Sequence, residues 1–178
     1  VRAKLPEIDG FKKERDKGVI NVTVEAPDAC IRYSGLTLRG IKVGPSPAWL
    51  QTRLRSIGLN PINNVVDITN FVLHETGQPL HAFDAAAING DTVRVMHLPE
   101  KTKFITLDGV ERTLSSNDLM ICNREEGMCI AGVFGGLRSG VTEATTDLFL
   151  ESATFSPVSV RRTSRRHDLH TDASYRFE

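Results

Sequence analysis

The sequence predicts an α+β fold, and three features of its patterning lead there. Apolar and polar residues alternate over Gly18 to Val43 and again over most of Thr92 to Phe155, the period-two signature of half-buried strands. Helical spacing interrupts this alternation between Ser46 and Gly77 and returns after Ser156-Pro157. The resulting order is strands, two helices, many strands and one helix, which is not the alternation that winds a parallel sheet.

Val1 to Lys17 is polar and charged and reads as a lead-in. VINVTVE and CIRYSGLTLRGIKV follow as strands around a turn near Pro27-Asp28. Ser46-Pro47 reads as an N-cap with proline at the first helical position. Leu50, Leu54 and Ile57 then share a face, and Gly58 stops the helix. A second helix is predicted from Asn64 to Glu75, with Gly77 as its stop and a histidine turn, LHAFD, beyond it. TVRVMH, KFITL, VERTL, DLMICN and GMCIAGVFGG read as strands. Asp108-Gly109 marks a two-residue hairpin, and Arg124 to Gly127 a further turn. DLFLESATF is the last strand, and Ser156-Pro157 opens a helix through RRTSRR.

The 178 residues suffice for one substantial domain, and 22 basic residues balance 22 acidic ones. A net positive field is therefore excluded as the main attraction to a polyanion, so any nucleic-acid contact must come from a local patch or from another domain. No apolar run approaches a bilayer span and no secretory signal opens the chain, so no membrane partner is expected. Cys30, Cys122 and Cys129 are odd in number and widely spaced. Cys122 and Cys129, in neighbouring strand-like runs, read as reduced buried thiols, so a cytoplasmic chain is expected. Val1 is not an initiator methionine and TDASYRFE opens a helix as the chain ends, so a fragment of a longer protein is expected.

Several constellations carry possible chemistry. Asn63, Asp67, Asn70 and His74 form a polar stripe along the second helix. Its plain reading is a water-facing side, yet short amides and carboxylates are poor helix formers and better suited to holding a ligand or a loop. Gly77 and Pro79 fix the direction of His81, which serves equally as a ligand group or as a cap on a carbonyl. Gly135-Gly136 bring bare backbone close to a ligand, or simply make a tight turn. Glu151 lies in a strand apolar on both faces and so needs a partner, either an arginine or a ligand hydroxyl. Arg161, Arg162, Arg165 and Arg166 cover one side of a helix, as a solvated face, a domain contact or a phosphate patch. A metal site from His74, His81 and Asp84 is a further reading, with no metal motif behind it, so no metal is assigned.

GLNPINNVVDITNFVLHETGQPLHAFD, TLDGVERTL, AGVFGGLRSGVTEATTDLFLESATF and RRTSRRHDLHTDASYRFE, in this order, resemble the B3/B4 module of the bacterial phenylalanyl-tRNA synthetase β subunit. The resemblance is dense from Arg55 to Glu178 and weaker over the first fifty residues. It implies a single module over 1–178 with a three-layer α+β fold, an unusual β-sandwich and flanking helices. It also implies an editing site that hydrolyses tyrosine wrongly esterified to phenylalanine tRNA. The parent enzyme would be a heterotetramer with an α subunit that uses ATP and magnesium, and the module itself would need no cofactor. Its partners would be the tRNA 3′ end, the α subunit and other β-subunit domains.

By position, the resemblance makes Glu151 the acid that recognises the tyrosine phenol. It sets Thr69, Asn70 and His81 around the ester and its attacking water, Gly135 and Gly136 in the pocket wall, and Thr171 and Ala173 near the ring. Asn60 stands where many bacterial members carry an arginine near the pocket and the tRNA end. A decayed pocket in a module that only docks tRNA is the competing reading, with Asn60 as its first sign.

Overall fold

Alternation along the strand-rich segments becomes ten strands and four α-helices in a computed structural model that describes residues 7–15 and 20–178. Residues 7–15 of the polar lead-in are exposed and carry neither helix nor strand; the rest of Val1 to Lys17, and residues 18 and 19 of the first strand-like stretch, lie outside the described residues.

β1 (Asn21–Val24) and β2 (Cys30–Leu38) precede α1 (Ala48–Ser56) and α2 (Asn64–Thr76). β3 (Leu80–Asp84), β4 (Thr92–His97), β5 (Lys103–Ile105), β6 (Glu111–Thr113), β7 (Leu119–Cys122), β8 (Gly127–Ile130), β9 (Phe134–Gly135) and β10 (Leu148–Phe155) come next. α3 (Pro157–His167) and α4 (Asp172–Phe177) close the chain.

The strands form a mixed five-stranded sheet in the order β1-β4-β7-β8-β9, an antiparallel three-stranded sheet in the order β2-β10-β3, and the β5-β6 hairpin. One cluster of buried side chains spans both larger sheets. It joins Phe83, Phe149 and Phe155 to Val93, Val95, Met120, Ile121 and Ile130, so the core is the filling of a β-sandwich. α2 packs beside β3, and α3 against β7. This mixed architecture of helices and several sheets agrees with the predicted α+β class.

α2 begins where its cap dictates. The Asn63 side chain accepts from the N–H groups of Val65 and Val66, and Gly77 ends the helix at φ 77°, a left-handed conformation that glycine adopts without strain. The predicted cap of α1 is not found. Pro47 holds the cap position without a side-chain bond, and the Ser46 hydroxyl instead donates to Asp67 Oδ2 at 2.5 Å. The physical reason is that Asp67 is fully buried and must be satisfied; the Ile62 N–H supplies a second donor at 2.8 Å. The stripe is therefore not a water-facing side.

Two turns also differ from expectation. LHAFD is a strand, because its alternation lets it pair along β10 from Leu80↔Ser152 to Asp84↔Leu148. Asp108-Gly109 sits within a wider loop, closed by Gly109 N–H on the Thr106 carbonyl, so β5 ends at Ile105 and β6 starts at Glu111.

Asp118 is buried just ahead of β7. It accepts from Thr163 Oγ1 (2.9 Å), His167 Nε2 (2.7 Å), the Ser115 N–H (2.8 Å) and Arg166. This cluster ties α3 to the large sheet. No helix among the described residues is long and apolar enough to cross a membrane.

Candidate functional site

β10 is the middle strand of its sheet, so both its edges are hydrogen-bonded and its neighbours are fixed by register, and Phe149, Glu151, Ala153 and Phe155 are buried along one face. In that register Glu151 stands directly across from His81 of β3 and from Gly35 of β2. A Cβ at position 35 would lie 2.1 Å from Phe149, so glycine makes room for the ring that packs beside the carboxylate.

Both side chains line a cavity of about 380 Å3. Thr69 and Asn70 of α2 reach it from one side, Gly135 from β9, and Thr171 and Ala173 from the start of α4. The Thr69 hydroxyl donates to the Val66 carbonyl at 2.8 Å, leaving its lone pairs available, whereas the Asn70 amide makes no hydrogen bond among the described residues. Thr171 is the N-cap of α4 in a reciprocal capping box with Ser174, which fixes the position of that wall.

The two titratable groups at the centre are both held away from their charged forms. Glu151 is 5% exposed, and burial raises its carboxyl to about 8 even though a hydrogen bond from Tyr33 opposes the shift. That bond, Tyr33 hydroxyl to Oε2 at 2.7 Å, occupies one carboxyl oxygen. No arginine pairs with Glu151 among the described residues. The His81 ring meets Phe83 edge-on at 4.4 Å and lies against Gly135, where a Cβ would come within 3.1 Å of Cε1. Burial lowers His81 to about 4, and its shielded Nε2 makes no hydrogen bond. At neutral pH the site therefore presents a neutral imidazole and a largely protonated carboxyl.

Other expected site residues lie elsewhere. Asn60 is exposed in the connection between α1 and α2 and does not line the cavity. Gly136 does not line this cavity and instead borders a second one of about 440 Å3 beside Phe104 and Arg138. Its N–H donates to the Met128 carbonyl, and a Cβ there would lie 2.5 Å from that oxygen. Arg166 is held by Asp118 and Arg161 lies 3.9 Å from Glu178, so the arginine patch reduces to Arg162 and Arg165, exposed and without an ion pair among the described residues. His74, His81 and Asp84 do not converge: His74 borders a separate hollow with Phe71, and Asp84 accepts from Ala86 N–H and Thr145. Tyr33 was not among the expected residues. It is far from β10 in sequence, and only the β2-β10 pairing brings it near Glu151.

A two-sheet sandwich with flanking helices and a cavity walled by α2, β3, β10 and α4 defines a class. A family model described as the B3/4 domain matches residues 29–178, and the chain belongs to this family. Among its relatives, the phenylalanine–tRNA ligase beta subunit of Bacteroides thetaiotaomicron is 62% identical over 173 residues, which is 97% of this chain and 21% of the relative. The same subunit of Porphyromonas gingivalis is 60% identical over 176 residues, 98% of this chain and 21% of the relative. The fold is similar to a crystal structure of an N-terminal fragment of the phenylalanyl-tRNA synthetase beta subunit from Pyrococcus horikoshii. The TM-score is 0.56 at 13% identity, over 92% of this chain and 52% of that one. The chain thus spans about a fifth of the length of the aminoacyl-tRNA synthetase subunits it matches.

Proposed function

We propose that this chain is an editing module that hydrolyses tyrosine mistakenly esterified to phenylalanine tRNA, within an enzyme that charges that tRNA using ATP and magnesium in an α subunit. The observation that carries the reading is the registered pair of His81 and Glu151 on one cavity wall, with Glu151 buried and paired with no arginine among the described residues. A phenyl ring leaves that carboxyl short of a partner, whereas a phenol satisfies it. Such a pocket discriminates by hydroxyl far more sharply than an apolar one discriminates by size. The gathering of Thr69, Asn70 and Gly135 around the same cavity favours a working pocket over a decayed one.

In the proposed reaction the water oxygen bonds to the ester carbonyl carbon, the bond to the ribose oxygen breaks, and the water proton passes to that oxygen. Free tyrosine and an uncharged tRNA end are released. His81, neutral with its pKa near 4, is too weak a base to drive this step and serves to orient water. In this reading the Asn70 amide, on the cavity wall, donates to the carbonyl oxygen as negative charge develops there. An aminoacyl ester is already activated, so positioning is sufficient.

The test is deacylation of tyrosyl-tRNA by the complete enzyme carrying this module. Glu151→Ala is expected to lower the preference for tyrosyl over phenylalanyl esters about 10- to 100-fold, the range for an unsatisfied buried group. His81→Ala is expected to slow hydrolysis without abolishing it. Total loss of hydrolysis with tyrosine affinity intact would make His81 a direct base and overturn this mechanism.

A further inference from the structure

A carboxyl that reads one hydroxyl must present one oxygen in one direction. A buried glutamate has three rotatable bonds and two equivalent oxygens, so something outside the cavity has to hold it. Tyr33 lies beside Glu151 on the same face of the small sheet, its Cα paired with Ala153 and its ring stacked 6.5 Å from Phe149 at 13° between planes. Its hydroxyl donates to Oε2 of Glu151, and its side chain does not line the cavity.

We propose that Tyr33 is the positioning residue that sets the hydroxyl specificity of the site. By occupying Oε2 from behind, it leaves Oε1 as the oxygen offered to the guest. This rests on the editing reading above and names the residue through which the specificity of that site is fixed.

Two consequences follow from the geometry. Without ligand, the carboxyl is anchored rather than orphaned, which makes its burial tolerable without an arginine. With ligand, only Oε1 is left to satisfy. When the carboxyl is protonated, the proton resides on Oε1 and donates to the phenolic oxygen; when it is ionised, the phenol donates to Oε1. Either state requires a hydroxyl on the guest. The groups that face Glu151 are Tyr33 and Cys30 from β2, Cys129 from β8 and His81 from β3, with Asp172 of α4 on the cavity rim. Burial keeps both thiols and the Tyr33 phenol uncharged near neutrality, so they supply no counter-charge. The Tyr33 bond is the one contact that favours ionisation of Glu151.

The experiment is a double-mutant cycle in the complete enzyme, with wild type, Tyr33→Phe, Glu151→Ala and the double variant. The readout is kcat/KM for tyrosyl-tRNA over phenylalanyl-tRNA, with the pH profile between 6.5 and 8.5. Tyr33→Phe keeps the stacked ring and loses one oxygen, and circular dichroism checks that the fold is retained. The ratio is expected to fall about tenfold, as for one lost hydrogen bond. The fall should reside in KM, and any step that ionisation of Glu151 places in the pH profile should move to higher pH, because the bond that favours ionisation is gone. In the Glu151→Ala background, where Tyr33 has no acceptor to hold, the same change should cost much less, because Tyr33 acts through the carboxyl. An unchanged ratio in Tyr33→Phe, or an equal loss in both backgrounds, would overturn the assignment while leaving the editing reading intact. Absence of any tyrosyl preference in the wild type would overturn the editing reading itself, and this one with it.

Discussion

Glu151 stores its functional readiness as a cost to the fold. Its folded pKa near 8 lies above the ordinary 4.5, so between these values the folded chain keeps a proton that the unfolded chain has lost. Stability therefore falls as pH rises through this window, at a limiting slope of about 1.4 kcal/mol per pH unit from this group. Glu151→Gln removes the titration, so its unfolding free energy relative to wild type should climb from pH 5 to pH 8 and level off above; urea melts at four pH values test this. His81 acts in the opposite sense at lower pH. Its folded pKa near 4 lies below the ordinary 6.5, so its burial costs stability increasingly as pH falls from 6.5 to 4. At this scale the sequence made the need visible, a carboxyl in an apolar strand, but not its answer. The partner is a phenol more than a hundred residues earlier, separated by 118 positions, and no local pattern connects the two.

Elements were most legible where local chemistry decides them. Asn63 and Gly77 bound α2 because a side-chain acceptor and a left-handed residue are needed at those two ends. Asn63→Ala is expected to lower stability by about 1 kcal/mol, read in thermal melts. Elements were least legible where tertiary pairing overrides the local signal. LHAFD carries a histidine and an aspartate that suit a turn, and it becomes a strand only because β10 offers it an edge. Likewise, Ser46 has the look of a cap, and the buried Asp67 claims its hydroxyl. Gly135, the last residue of β9, and the adjacent Gly136 show how one step along the chain separates two roles. Gly135→Ala should crowd the His81 ring and slow hydrolysis with little change in stability. Gly136→Ala places a Cβ 2.5 Å from a backbone oxygen and should cost about 1–3 kcal/mol in folding, measured by denaturant unfolding.

For the molecule as a whole, alternation and punctuation were enough for an α+β class, while the partition of the strands into a five-stranded and a three-stranded sheet depends on long-range pairing such as β1 with β4. The basic stretch at the end of the chain shows the same limit. Its arginines read alike in sequence, yet Arg166 and His167 belong to the Asp118 cluster that holds α3 on the large sheet. Burial alone would raise the Asp118 carboxyl, but its bonds from His167, Ser115 and Thr163 keep it below 3.8. It therefore contributes stability above that value and loses it as pH falls through its lowered folded pKa. Asp118→Asn should destabilise the chain by about 3 kcal/mol at neutral pH, with the difference from wild type shrinking in acid; melts at pH 7 and pH 3 compare the two.

The uncharged state of both facing groups in the cavity has a consequence for ionic strength. A phenol meeting a protonated carboxyl and a neutral imidazole exchanges no charge, so added salt has little to screen there. Contacts from Arg162 and Arg165 to a polyanion would instead weaken steeply with salt. Under the proposed function, raising potassium chloride should thus release a nucleic acid while leaving the affinity for free tyrosine nearly constant, separating how such a module would hold its carrier from how it would inspect the cargo.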